Sequence, residues 1–334
     1  MRHILMTVFA IPFFLFSVGT SLLAQEFPLT IEHKFGTTVI ESKPERVASI
    51  DADGADYILA LGVQPLVIRH LYDAYPRSVF PWADVLLEGT PVVLKDGIDI
   101  QAIAAVDPDI IIALASGITA SEYEKLSQIA PVIAVAEGTE NYAMTWRARA
   151  ILTGRVLGLE VEAIAKVEAI QTELADIAAA HPDWAGKSAV IADIWGEAPG
   201  EYSTIAAYTS IDVHAQILAD LGFETPAAID EMMEDGDGHW VEIDLGDLSP
   251  LEGDLLIWLT QNDQFELVLA LDAHPFLEVT KKGHEVIVGE LLGSAFSHAT
   301  LLSLPYAIET LVPMIEAALD GDPNTYADDR DDAR

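Results

Sequence analysis

The chain has 334 residues, enough for a sizeable core and for two domains. A hydrophobic share of 51% excludes disorder as a description of the whole, and 17 Lys plus Arg against 54 Asp plus Glu, a formal charge of −37, exclude a nucleic-acid partner. The lack of cysteine removes disulfides, thiolate zinc sites, iron–sulfur clusters, a cysteine nucleophile and lipidation at an N-terminal cysteine.

Residues 1–24 open with Met1-Arg2-His3, continue as an apolar run from Ile4 to Val18 and end on small residues up to Ala24. This layout predicts a secretory signal peptide cut after Ala24, export to a periplasm and no lipid anchor. A membrane anchor is the alternative, but the run falls short of the ~20 residues of a span and contains Pro12.

From Arg46 onwards short apolar runs alternate with amphipathic stretches. The runs Val47–Ile50, Leu66–Ile68, Asp109–Leu114, Val132–Val135, Ala189–Ile194, Asp254–Leu259 and Glu285–Val288 predict strands. They are continuously apolar, as strands covered on both faces are. Helices are predicted between them, among them Ala52–Leu61 closed by Gly62 and Ser121–Ile129 closed by Ala130-Pro131. Such alternation defines an α/β protein.

A longer helix, Glu162–Ala180, places Ile164, Val167, Ile170, Leu174 and Ile177 at helical spacing and stops at His181-Pro182. It would span roughly 28 Å, enough to bridge two lobes and to hold them to small rocking motions. An ordinary packed surface helix is the alternative. The expected division is an N-terminal α/β lobe at 25–158, a bridging helix at 159–185 and a C-terminal α/β lobe at 186–325. The charged tail Tyr326–Arg334 reads as disordered.

The two halves repeat. Residues 99–114, DIQAIAAVDPDIIIAL, match 244–259, DLGDLSPLEGDLLIWL, without a gap. Asp99, Asp109, Ile112 and Leu114 recur as Asp244, Asp254, Ile257 and Leu259, and apolar Ile100, Ile103, Val106, Ile110 and Ile111 meet Leu245, Leu248, Leu251, Leu255 and Leu256. Each copy reads as a short helix, an acidic turn and a buried strand, so two similar lobes are expected.

Four segments resemble the periplasmic substrate-binding proteins of ABC importers for iron–siderophore complexes, a family that includes cobalamin and haem binders. They are Phe35–Ile40 with Lys43–Ile50, Ala55–Val67, Pro108–Ile112 with Leu126–Val132, and Gly253–Ile257. The resemblance implies two α/β sandwich lobes joined by a single long helix, with a ligand cleft between them. It further implies a monomeric, non-enzymatic receptor that captures a ferric siderophore and delivers it to a permease and ATPase in the inner membrane. Iron would be present only as part of the bound chelate, with no resident cofactor and no metal ligands of the protein's own. One departure concerns docking: many family members carry a surface Glu on each lobe, where this chain has Gln101 and Gly246, with Asp99, Asp244 and Asp247 nearby.

A cleft for such cargo needs flat aromatic surface and Arg for charge, placed at strand exits. In the first lobe the candidates are Arg69, which follows a strand directly, Tyr72 and Trp82, with Trp146 at the head of a helix beside Arg147 and Arg149. In the second they are Trp195, Tyr202, Tyr208, Trp258 and Phe296. Core packing is the competing role for Trp258 and Trp146, and pairing with Asp73 for Arg69. The histidines show no ligand spacing for a bare metal ion. A secreted hydrolase is a further alternative, but Gly-x-Ser-x-Gly and His-Glu-x-x-His are both absent.

Overall fold

The computed structural model describes residues 25–70, 73–139, 144–196, 204–233, 238–260, 265–325 and 327–329. The chain opens with a hairpin of β1 (Leu29–His33) and β2 (Gly36–Ile40), then runs through β3 (Val47–Ser49), α1 (Gly54–Ala60), β4 (Pro65–Arg69), α2 (Pro81–Asp84) and β5 (Val92–Leu94). There follow α3 (Ile100–Ala105), β6 (Ile110–Ala113), α4 (Ala120–Leu126), β7 (Val132–Ala134), α5 (Trp146–Val156) and α6 (Glu160–Ala180). The second half holds β8 (Ala189–Trp195), β9 (Thr204–Tyr208), α7 (Val213–Asp220), α8 (Ala227–Glu231), β10 (Trp240–Ile243) and β11 (Leu255–Thr260). It ends with α9 (Phe265–Leu269), α10 (Glu278–Lys281), β12 (Glu285–Val288), α11 (Glu290–His298), α12 (Ser303–Ala318) and β13 (Ala327–Asp328).

The first sheet is parallel throughout, in the order β5-β4-β3-β6-β7. The second has the order β10-β9-β8-β11-β12-β13, with β9 antiparallel to both neighbours and the remaining pairs parallel. Both wind alike: the first strand lies centrally, the next two step out to one side, and the chain then crosses to the other. The strand order therefore reverses between β3 and β6, and again between β8 and β11, the crevices where α/β sheets bind ligands.

The repeat has a physical basis. The Asp109 carboxylate accepts the Glu45 and Arg46 N–H groups while the Asp109 N–H donates to the Arg46 carbonyl. Asp254 accepts the Ser188 N–H and donates its own to the Ser188 carbonyl. Each aspartate thus fastens the start of one central strand to the start of its neighbour. Asp99 likewise caps α3 through the Gln101 and Ala102 N–H groups, and Asp244 accepts the Gly246 N–H at the matching turn.

All seven predicted strands are present, each within one residue of its expected ends. The search for unbroken apolar runs passes over β10, an antiparallel edge strand whose residues alternate exposed and buried. The expectation of a disordered tail is corrected at Ala327–Asp328, which pair in parallel with Val286 and Ile287. This short strand covers the edge of β12 and buries Ala327.

The long helix has 21 residues and buries the stripe Ala163, Val167, Ile170 and Leu174. Against it lies α5, approached so closely at Gly154 that a Cβ there would stand 2.3 Å from the Ala163 Cβ and 2.8 Å from the Leu159 carbonyl oxygen. One apolar cluster runs through both lobes: Tyr57 and Ala60 of α1 and Trp146 of α5 pack with Val167 and Leu174 of α6 and with Ile217, Leu292 and Leu304 of the second half. The helix is both a connection and a wall of this shared core, which joins the two expected alternatives.

Candidate functional site

At the exit of β3 the chain must turn into α1, and a buried carboxylate holds that turn. Asp51 accepts the N–H groups of Leu114 and Ala115 at 3.0 and 2.8 Å, tying the exit of β3 to that of β6. Burial, reinforced by Asp53, pushes its carboxyl up to about 6. Two further acids follow in the same buried region, Asp53 and Asp56. Asp53 receives both its bonds from Arg149 Nη1, at 2.6 and 2.7 Å.

Asp56 connects the lobes. Its Oδ2 accepts the Trp82 indole N–H at 2.8 Å and the Thr300 hydroxyl at 2.7 Å. Desolvation outweighs these two bonds and raises the carboxyl to about 7. Beside it the Tyr57 hydroxyl donates to the Ala299 carbonyl, and Arg149 stacks over the Tyr57 ring. The first turn of α1 is thereby seated against the turn between α11 and α12.

Next to this contact lies a cavity of about 180 Å³. Met144, Thr145, Trp146 and Arg149 form one wall at the start of α5, and Ile211, Asp212, Val213 and Gln216 form the other at the start of α7. His239 and the residues Ser297–Ala299 close it. Asp212 is the node of the second wall. Its Oδ1 caps α7 through the His214 N–H at 2.9 Å and meets His214 Nδ1 at 2.6 Å, while Oδ2 lies 3.3 Å from His239 Nδ1. Burial works against its charge, but the bonds and charge supplied by His214 hold the carboxyl below the usual range. His214 in turn stacks on Tyr208 at 4.1 Å between ring centres and reaches Ser297 Oγ at 2.9 Å.

The series Asp212–His214–Ser297 has the order of a hydrolase triad. Its serine, however, stands in the last turn of α11, at the negative end of that helix. The main chain there presents carbonyls, where a developing oxyanion needs N–H donors. The arrangement fits the holding of side chains rather than acyl transfer.

The structure distributes the expected site residues unevenly. Arg69 ends β4, half-buried, with one bond from Nη1 to the Ser116 carbonyl at 3.3 Å. Trp146 lines the cavity and Tyr208 supports its wall. Trp82 belongs to the lobe contact, stacked on Phe80 and bonded to Asp56. Two expectations are corrected. Trp258 is fully buried, because β11 is central and covered on both faces, and its N–H donates to Glu285. Phe296 is buried on the core side of α11, edge-on to His214. Trp195 closes β8, while Tyr72 and Tyr202 lie outside the described residues.

Arg149, Asp212 and His239 escape the search for strand-exit aromatics because they sit on helix starts and an edge-strand entry. Asp212 carries the one legible signal, an Asp just before an amphipathic stretch, which is a helix cap. Trp240 is a further omission: it is half-exposed and stands directly opposite Tyr208 in the β9–β10 register. Cross-strand neighbours share a face, so it extends the Tyr208–His214 surface outwards.

Two lobes of one winding order, closed on a cavity walled by aromatic, imidazole and guanidinium groups, define a solute-binding protein. A family model described as periplasmic binding protein matches residues 47–288, and the chain belongs to that family. It is 29% identical over 222 residues to the Fe(3+) dicitrate-binding periplasmic protein FecB of Escherichia coli (strain K12), covering 65% of this chain and 68% of that one. A periplasmic solute binding protein from Mycobacterium smegmatis superposes with a TM-score of 0.75 at 27% identity, over 87% of this chain and 98% of the other. PiaA of Streptococcus pneumoniae, solved in complex with ferrichrome, gives 0.71 at 26% identity, over 88% and 99%. Among the described residues no helix is long and apolar enough to cross a membrane.

Proposed function

We propose that the protein is a receptor for a ferric siderophore, which it grips in the cleft between its lobes and releases unchanged to an ABC importer. The observation that carries this reading is the cavity at the lobe contact, walled by Arg149, Trp146, His239 and the Tyr208 platform. FecB and PiaA, both similar to this chain, are named or crystallised with iron chelates. Residues 1–24 serve as its export signal, it works as a periplasmic monomer, and iron enters only within the chelate. Arg69 and Trp195 complete the grip from the strand exits of the two lobes. Where Gln101 and Gly246 replace acidic docking residues, Asp99 and Asp244 are engaged in capping their own turns, so permease contact falls to other surface acids.

The test is a titration of the purified protein, followed by intrinsic fluorescence, with ferric siderophores, their iron-free forms, haem and cobalamin. Saturable quenching by at least one ferric chelate at sub-micromolar concentration, and chelate recovered intact, is the expected result. Tight binding of haem or cobalamin alone, or hydrolysis of the chelate, overturns the reading.

A further inference from the structure

The first lobe holds the turn between α11 and α12 by both rings and hydrogen bonds. Phe80 lies 5.3 Å from the His298 ring between centres, and Trp82 lies 5.4 Å from that of Tyr306. The Tyr57 hydroxyl donates to the Ala299 carbonyl, and Asp56 Oδ2 accepts from the Thr300 hydroxyl. Ala299 stands at φ 46° and ψ 62°, a left-handed conformation that a residue with a side chain keeps only where its surroundings impose it. The turn also reaches the cavity, since Ser297, His298 and Ala299 line it. Whatever loosens the lobe contact therefore moves a cavity wall.

Charge at this contact is unevenly matched. Asp51, Asp53 and Asp56 are all buried. Arg149 is bound to Asp53 through both carboxylate oxygens, and Asp51 is held by two backbone N–H groups. Asp56 has two neutral donors, Trp82 from its own lobe and Thr300 from the other. The titratable groups around it supply no balancing charge. Burial keeps the Tyr57 phenol protonated and the His298 ring neutral. Tyr306 of α12 faces Trp82, Asp84 of α2 is engaged by Arg77, and His214 beyond Ser297 is engaged by Asp212. An ionised Asp56 is thus a buried charge without a cation of its own, a state that water entering between the lobes relieves. A protonated Asp56 needs no such relief, and its Oδ2 can still accept both bonds.

We propose that Asp56 and the turn Ala299–Ser303 form a proton-operated latch between the lobes, closed while the carboxyl is protonated and loosened when it ionises. The long helix α6 limits the loosened state to small rocking motions. Burial has already raised the carboxyl to about 7, so the latch works around neutrality.

Energy transfer between two dyes tests this. The chain has no cysteine, so Ser121→Cys on α4 and Glu242→Cys on β10, both exposed, place one pH-insensitive dye on each lobe. Between about pH 5 and pH 8.5 the distribution of transfer efficiencies is expected to broaden, with a midpoint at about 7. Asp56→Asn accepts the same two bonds without a charge, and its distribution is expected to stay narrow at every pH. Trp82→Phe keeps a ring on Phe80 but removes one donor, and a carboxylate with fewer donors ionises later, so the midpoint is expected to move to higher pH. Melting curves show that both variants are folded. A wild-type distribution that does not change with pH overturns the latch. So does a transition that Asp56→Asn retains, or one that Trp82→Phe leaves at the wild-type midpoint. No cargo enters the measurement, so the latch stands or falls separately from the siderophore reading.

Discussion

The Thr300 hydroxyl donates to Asp56 Oδ2 at 2.7 Å while accepting the Ser303 N–H at 3.0 Å. One hydroxyl thus starts helix α12 and reaches a buried carboxylate of the other lobe, so the lobe contact and the fold of the second half share a single atom.

That carboxylate makes the contact sensitive to pH. Asp56 titrates at about 7 in the folded protein against 3.8 for the free side chain, so the folded state binds the extra proton and its stabilising effect is present below pH 4. The effect is lost as pH rises through about 7. His33 and His298, both lowered by burial, act in the opposite sense, since burial favours their neutral forms and their contribution is lost as pH falls. Comparison with a variant isolates the aspartate. Asp56→Asn accepts the same two bonds without a charge, and urea titrations between pH 5 and 8 are expected to show its stability falling less with rising pH than the wild type. Parallel curves would falsify the assignment.

The approach of α5 to α6 at Gly154 leads to a second expectation. In an open helix interior Gly→Ala stabilises by about 1 kcal/mol. Here the added methyl meets the Ala163 Cβ and the Leu159 carbonyl oxygen well inside contact distance. Overpacking of this kind costs about 1–3 kcal/mol, so Gly154→Ala is expected to lower the melting temperature by several degrees. A variant that melts at or above the wild-type temperature shows that the two helices can part without loss.

Asp109 and Asp254 occupy one position in the two lobes and do one job, so their loss is expected to look alike. Asp109→Ala leaves the Glu45 and Arg46 N–H groups without their acceptor, and Asp254→Ala does the same to Ser188. Each substitution is expected to destabilise by about 1–2 kcal/mol, reduced by the exposure of these turns to water. Denaturant midpoints measure this, with Glu124→Ala on the exposed face of α4 as the control acid. A loss confined to one member of the pair breaks the equivalence of the lobes.

The same pair explains what the sequence made legible. A residue that fixes the start of a buried strand must be acidic and must precede an apolar run, and both constraints survive in the letters at 109 and 254. Strands covered on both faces were therefore readable, and so was the doubled plan. The site was less so. Trp258 and Tyr208 are both strand aromatics, and only the neighbours in the sheet decide that one is buried in the core and the other supports a cavity. Arg149 and Asp212 act across the lobe boundary, through contacts between residues far apart in the chain, for which local pattern has no sign.

Arg69 offers the cleanest probe of the grip from the first lobe. It stands at the exit of β4, half-buried, and its bond to the Ser116 carbonyl at 3.3 Å is long, so the fold depends little on it. Trp240 is its counterpart in the second lobe, half-exposed at the sheet edge beside Tyr208. Arg69→Ala and Trp240→Ala are each expected to change stability by no more than about 0.5 kcal/mol, as surface substitutions do. Their effect on cargo differs by chemistry. Loss of the guanidinium is expected to weaken an anionic ferric chelate about tenfold and a neutral one less. Loss of the indole removes flat surface, and weakens both about equally. Titration of each variant against ferric citrate and ferrichrome reads this out. If Arg69→Ala binds both chelates as the wild type does, the exit of β4 is no part of the grip.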